Sequence, residues 1–124
     1  MQNIMLLIQR SAIFDNIANY LKKHREVNIS HIQNYDYLTI ENLLNIDVIL
    51  IEVAESGKFN IHYCLNLITN IVKKVSRVKI ILMCSDQDEA SINLVLKAKE
   101  SGIIDDFLFY DVTIDYLVSK LLTV

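Results

Sequence analysis

Three short, nearly unbroken apolar runs constrain this chain more than any other feature: residues 4–8, 48–51 and 78–83, the last interrupted only by Lys79. Runs of four to six residues rich in Ile, Val and Leu are what strands buried on both faces look like, and such strands belong to the middle of parallel sheets. A weaker run at 107–110 suits a fourth strand of this kind, and 27–33, which alternates less cleanly, suits an edge strand. The segments between these runs have helical spacing. Ile13, Ile17 and Leu21 form one stripe, widened by Phe14 and Ala18. Residues 61–75 predict the clearest helix, with Ile61, Cys64, Leu65, Ile68, Val72 and Val75 on one face and Asn60 as its cap. A further helix is expected over 88–101, ended by Gly102, and another over 114–122, with a short one over 37–44. Strand and helix thus alternate five times, which predicts a parallel sheet covered by helices on both sides.

A length of 124 residues, 52% of them hydrophobic, suits one domain over 1–124 with one packed core. No repeat, linker or composition break divides the chain, and proline is absent. A net charge of -3 argues against direct nucleic-acid binding, which needs a basic surface. No segment approaches the roughly 18 apolar residues of a membrane span, and the apolar run in MQNIMLLIQR is too short, and lacks the basic lead-in, for a signal peptide. Cys64 and Cys84 fall in stretches that read as buried, so a reduced, cytoplasmic chain is expected. His24, His31 and His62 are scattered without ligand spacing, and no metal site or cofactor is expected from them.

Several apparent motifs dissolve on inspection. Glu55-Ser56-Gly57-Lys58 looks like the tail of a phosphate loop, but that pattern needs Gly where Glu52 stands and Ser or Thr where Phe59 stands. Two glycines are too few for a dinucleotide fingerprint. Cys84 as a nucleophile needs an adjacent base, and His62 falls on the polar side of another element, so an inert thiol is expected. Asp86, Asp88 and Glu89 are better placed as the acidic start of a helix than as metal ligands, and Lys22, Lys23, His24 and Arg25 as its opposite, the cationic last turn of one.

Five βα units in this length resemble the receiver domain of two-component response regulators, a CheY-like member of the flavodoxin-like sandwiches with strand order 2-1-3-4-5. DVILIEVAESG is similar to the receiver's third strand, VKIILMCSDQDE to its fourth strand and trailing acidic loop, and ESGIIDDFLFYD to the end of its fourth helix and its fifth strand. The resemblance places a degenerate phosphoacceptor pocket at Gln9, Arg10, Glu52, Cys84 and Tyr110. Gln9 and Arg10 stand where a working receiver has the acidic pair that binds magnesium. Glu52 stands for the phosphate-accepting Asp, Cys84 for the hydroxyl residue and Tyr110 for the Lys, while Phe107 keeps the aromatic switch position.

Magnesium wants hard oxygen ligands, and an Arg in their place repels it. Phosphoryl transfer depends on positioning and charge neutralisation, and without metal and Lys both are missing. The expected role is therefore a bacterial-type, receiver-like signalling module, or pseudo-receiver. It has no enzymatic activity, does not depend on phosphorylation, and acts through protein contacts. Two other readings stand beside it: an active phosphoacceptor using Glu52, and a small-ligand domain using the same crevice. Arg10 is expected within hydrogen-bonding reach of Glu52 as a fixed substitute for the metal. Phe107, without a hydroxyl to keep it wet, is expected to lie largely buried against the fourth strand and helix. The resemblance also implies as partner an output domain, or a second copy paired through the fourth helix, fifth strand and fifth helix, including parts of 94–99 and 116–120.

Overall fold

The structure is a computed structural model that describes residues 1–24 and 26–124. The described residues form β1 (Gln2–Leu7), α1 (Ser11–Leu21), β2 (Val27–Ile32), α2 (Ile40–Leu43), β3 (Val48–Glu52), α3 (Ile61–Asn70), β4 (Lys79–Cys84), α4 (Glu89–Glu100), β5 (Asp106–Phe109) and α5 (Ile114–Thr123). Two 3-10 turns, Tyr35–Tyr37 and Val72–Lys74, precede α2 and follow α3. All strand pairs are parallel, in the order β2-β1-β3-β4-β5. Strand order and class are those expected from the sequence.

The apolar runs are unbroken because each central strand feeds two cores. Ile4, Leu6, Val48, Leu50, Ile81 and Met83 face the layer made by α1 and α5, with Ile17, Leu21, Leu117, Val118 and Leu121 opposite them. The alternate residues Met5, Leu7, Ile49, Ile51, Ile80 and Leu82 face α2, α3 and α4, meeting Leu43, Cys64, Ile68, Val95 and Ala98. A strand side chain points to opposite faces at successive positions, so a strand covered on both sides has no polar position to spare. Full burial of each such side chain stabilises by about 1.5–3 kcal/mol, which makes these two layers the main support of the sheet.

Local chemistry sets most helix starts. Asn60 accepts from Tyr63 N–H, Asp88 from Ser91 N–H and Thr113 from Tyr116 N–H, each supplying an acceptor that the first turn lacks. Thr39 and Asn42 form a reciprocal capping box around α2. Gly102, at φ +81°, follows the last turn of α4 in the left-handed region where a side chain is disfavoured. In α1 the cap position is Arg10, whose side chain caps nothing.

The structure corrects the sequence reading at several boundaries. The helix expected over 61–75 ends at Asn70: Ile71 leaves helical geometry (φ −121°, ψ −58°), and Val72–Lys74 tightens into a 3-10 turn. Val72 stays buried across the break, so the apolar spacing hides it. The short helix expected over 37–44 is a 3-10 turn followed by a four-residue helix. Lys22 is the C-cap residue of α1 and Lys23 follows it, so these cations lie just past the last helical turn; Arg25 lies outside the described residues.

Candidate functional site

At the carboxyl ends of β1, β3 and β5 the chain forms a concavity of about 250 Å³, lined by Gln9, Arg10, Glu52, Ala54, Glu55, Ser56 and Tyr110. This is the crevice where open α/β sheets bind ligands. Four of the five expected pocket positions meet here; the fifth, Cys84, lies buried in the core below.

Glu52 ends β3 with only 2% of its surface exposed. A carboxylate so buried requires donors, and it has them. Its Oε1 accepts the backbone N–H groups of Gln9 at 2.8 Å and Arg10 at 3.2 Å, and its Oε2 accepts Arg10 Nε at 2.5 Å. Both oxygens are therefore engaged by the β1–α1 connection. The same arrangement explains how α1 manages without a local cap: Glu52 brings an anion from β3 to the N-terminal end of the helix, where the helix dipole favours negative charge.

Arg10 is fixed from a second side. Its guanidinium carbon lies 4.4 Å from the centre of the Tyr110 ring, a cation–π contact. Partial desolvation acts against its charge, but the hydrogen bond and Coulomb attraction to Glu52, reinforced by Tyr110, hold its pKa above the ordinary value. Tyr110 donates its hydroxyl to Val53 carbonyl oxygen and its backbone N–H to Cys84 carbonyl oxygen at 3.2 Å. The β5–α5 connection is thereby tied to the ends of β3 and β4. Burial, followed by the Glu52 charge, pushes the Tyr110 phenol well above its usual range.

Tyr35, which the sequence did not single out, completes the frame. It is fully buried, and its hydroxyl lies 2.8 Å from Leu7 carbonyl oxygen and 2.7 Å from that of Glu52, so its single proton is shared between the ends of β1 and β3. Its ring stacks on Phe59 at 4.4 Å. Lys58 and Tyr63 both donate to Asp36, which ties the β3–α3 connection to the turn carrying Tyr35. The only advance signal was chemical: a tyrosine among apolar neighbours must find its hydroxyl a partner.

These residues do not fit a magnesium ion. Of the two carboxylates that line the crevice, Glu55 is exposed at its rim, while Glu52 at its base already accepts N–H groups on both oxygens and has a guanidinium against it. A hard cation would have to displace charge-assisted hydrogen bonds and approach a fixed positive group. Cys84 offers no substitute donor chemistry, since burial, and then the Asp88 charge, push its thiol from 9.0 up to about 11.

Phe107 departs from expectation. It is only partly buried, and it lines a shallow surface concavity of about 280 Å³ with Lys99, Asp106, Phe109, Tyr116 and Lys120. The alternation of β5 explains this: Leu108 points into the α1–α5 core, while Phe107 and Phe109 point to the other face, at a sheet margin that α4 covers incompletely. The rings of Phe107 and Phe109 meet edge to face at 5.6 Å. Beside them Asp106 gathers Lys99 Nζ at 3.0 Å, Lys120 Nζ at 2.6 Å and Phe107 N–H at 2.9 Å, which fastens α4 and α5 to β5.

No family model and no curated protein matches this sequence. Solved structures match throughout. The chain is similar to RcsB from Salmonella enterica serovar Typhimurium, bound to promoter rprA with a phosphomimetic (TM-score 0.75, 16% identity, covering 99% of this chain and 67% of that one). It is similar to the BeF3-activated N-terminal receiver domain of Klebsiella pneumoniae RstA (TM-score 0.70, 20% identity, 98% and 96% covered). It is also similar to a structure described as adenylate cyclase from Rhodopirellula baltica (TM-score 0.77, 13% identity, 98% and 84% covered). The chain thus has the CheY-like fold of response regulator receivers, and the third similarity shows why the fold alone does not state a function.

Proposed function

We propose that this chain is a receiver-like signalling module of a two-component-type regulatory system that works without phosphorylation, as a protein-binding domain and not as an enzyme. One observation carries the reading. The carboxylate at the phosphoacceptor position has both oxygens occupied by Gln9 N–H, Arg10 N–H and the Arg10 guanidinium. A nucleophilic carboxylate must present a free oxygen in line with the incoming phosphoryl group, and here that oxygen is spent on the β1–α1 connection. Arg10 stands in permanently for the charge that a metal supplies in a working receiver.

The contact surface in this reading is the face made by α4, β5 and α5, where the sequence resemblance places pairing with an output domain or a second copy. Lys99, Asp106 and Lys120 satisfy one another within the chain, which leaves an aromatic remainder with Leu96 and Tyr116 exposed. Such a surface of apolar groups rimmed by charge suits a protein partner. No helix among the described residues is long and apolar enough to cross a membrane, and the proposed location is cytoplasmic. A second reading rests on the concavity itself, a space of about 250 Å³ beside Arg10 at the switch point of the sheet, and a thermal shift on adding candidate nucleotides would favour that reading.

The test is an amide NMR spectrum of the protein recorded with and without magnesium and beryllofluoride. The expected result is no change beyond residues near the crevice mouth. Shifts running from Glu52 through Cys84 to Phe107 would overturn the proposal, because they require an accessible carboxylate and a working relay.

A further inference from the structure

The two edges of the sheet are protected unequally. β5 is four residues long, and Asp106 on it gathers Lys99 and Lys120, so charge guards that edge. β2 runs for six residues, Val27–Ile32, in unbroken register with β1, and has no bulge, no proline and no charged side chain. Natural edge strands are blunted by devices of that kind, because their unpaired backbone groups are a template for another strand. The β1–β2 ladder defines which groups those are. Gln2 N–H donates to Glu26 carbonyl oxygen at 2.7 Å, and in a parallel pair the bonding residues of a strand alternate. Asn28, Ser30 and Ile32 therefore bond β1, while Val27, Ile29 and His31 turn both N–H and C=O outward. Among the described residues, those three have no backbone partner on the outer side.

The outward residues are symmetric about Ile29, and that symmetry identifies the occupant. A twofold axis through Ile29, perpendicular to the sheet, sets a second β2 antiparallel to the first. Ile29 then meets Ile29 of the other copy, and Val27 meets His31 on either side, each pair exchanging both of its N–H···O bonds. Moving the axis to Asn28 or Ser30 leaves one outward residue of each copy beyond the end of the other strand. The side chains agree with the central register. Val27 and Ile29 are half-buried at the rim of the α1–α5 core, and the His31 ring that meets Val27 is stacked on Phe14 at 3.7 Å. On the other face exposed Ser30 stands opposite Asn28, whose side-chain nitrogen is held by Asn3 and whose Oδ1 can accept. Glu26 falls opposite Ile32, so no charge meets its like. A second copy also brings this strand already extended in its own sheet, whereas a flexible peptide would first have to be ordered. We infer that β2 is a twofold self-association edge that joins two five-stranded sheets into one continuous sheet. It is the opposite edge from β5, so the α4–β5–α5 face stays free. One strand pair buries little surface, which makes the association concentration-dependent.

Backbone amide exchange and sedimentation over a wide concentration range test this inference. In dilute solution the N–H groups of Asn28, Ser30 and Ile32 are expected to be protected, and those of Val27, Ile29 and His31 to exchange fast. At high concentration the last three should become protected as the mass moves toward twice that of the monomer. Ile29→Pro removes one outward N–H and spares the β1 ladder, so it is expected to stay monomeric. Ile29 also packs on the core, so Ser30→Lys, which alters only an exposed side chain, is the second variant. A lysine on the edge should weaken association about tenfold. Far-UV spectra check that both variants fold. Leu96→Glu, on the α4–β5–α5 face, should still associate. A chain that stays monomeric throughout would overturn the inference. So would association that survives both β2 variants or is lost with Leu96→Glu, or a dimer in which the three outward amides still exchange fast. None of these outcomes touches the phosphorylation-independent reading of Glu52, which the beryllofluoride spectrum decides separately.

Discussion

Glu52 and Asp106 are both strand carboxylates that gather cations, and the contrast between them shows what burial does to such a group. Glu52 lies at the end of a central strand, is almost completely covered, and takes two backbone N–H groups and one guanidinium from a single connection. Asp106 lies on an edge strand, partly open to water, and takes two lysines on flexible stems from two different helices, with its neighbour's N–H. The first is a preorganised arrangement around a buried carboxylate, reached by an Arg10 side chain that is itself 55% exposed, and each donor loses its partner if the carboxylate goes. The second is a half-covered knot in which the carboxylate is 14% exposed and its lysines keep contact with water.

Breaking the Glu52 arrangement should therefore have the larger effect. Arg10→Ala leaves a buried carboxylate with only two backbone donors; because the Arg10 side chain is itself half exposed, a loss of about 1.5–3 kcal/mol is expected by chemical denaturation. Asp106→Asn should cost about 1 kcal/mol by the same measurement, because the amide keeps part of the hydrogen bonding and the two lysines remain open to water. The two lysines and Phe107 N–H hold Asp106 below the ordinary carboxylate value of 3.8 even though partial burial opposes them. Its stabilising contribution is thus present above about pH 3.8 and disappears as pH falls through the lower folded value. Acid titration of the Asn variant should lack that part of the wild-type loss. Equal losses for the two variants would show that burial does not separate these carboxylates. Tyr110→Phe gives the finest resolution. It keeps the ring under Arg10 and removes only the hydroxyl bond to Val53, so about 0.5–1.5 kcal/mol is expected, with the NMR signals of the 106–113 connection the most affected.

The cysteines extend the comparison to the other pH extreme. Burial, then the Glu52 charge, pushes the Cys64 thiol from 9.0 up to about 12, and Cys84 reaches about 11. A raised thiol favours the folded state fully below pH 9.0, and that support fades as pH rises through the folded values. Neither thiol should react with a water-soluble disulfide reagent at pH 8 unless the chain is first unfolded. Rapid native labelling at Cys84 would show the crevice floor to be open.

What the sequence disclosed follows from where its information is local. β1, β3 and β4 were legible because doubly buried strands cannot hide polar residues, and α4 because Asp88 and Gly102 mark its two ends. The break after Asn70 was not, since Ile71 and Val72 continue the apolar spacing while the backbone changes geometry. Arg10 and Glu52 could be brought together in advance because strand order puts β1 beside β3. Tyr35 could not, because its partners are carbonyl groups, which every residue has. The burial of Phe107 was misjudged because strand alternation fixes the face of a side chain but not how far a helix reaches over it.

The anion that closes the start of α1 has a kinetic consequence. Most helices here carry their own first-turn acceptor within a few residues, so they can begin from local sequence. α1 has no such side chain, and the N–H of its cap residue Arg10 finds its acceptor in Glu52, 42 residues along the chain. Ile13 and Phe14 N–H close the first turn locally on the Arg10 carbonyl, but the N–H of the cap residue stays without its acceptor until β3 has docked beside β1, so the helix start is secured only by a long-range contact. A fragment ending before β3 should show a frayed α1, and in the full chain the helix start and the β1–β3 pairing should gain hydrogen-exchange protection together.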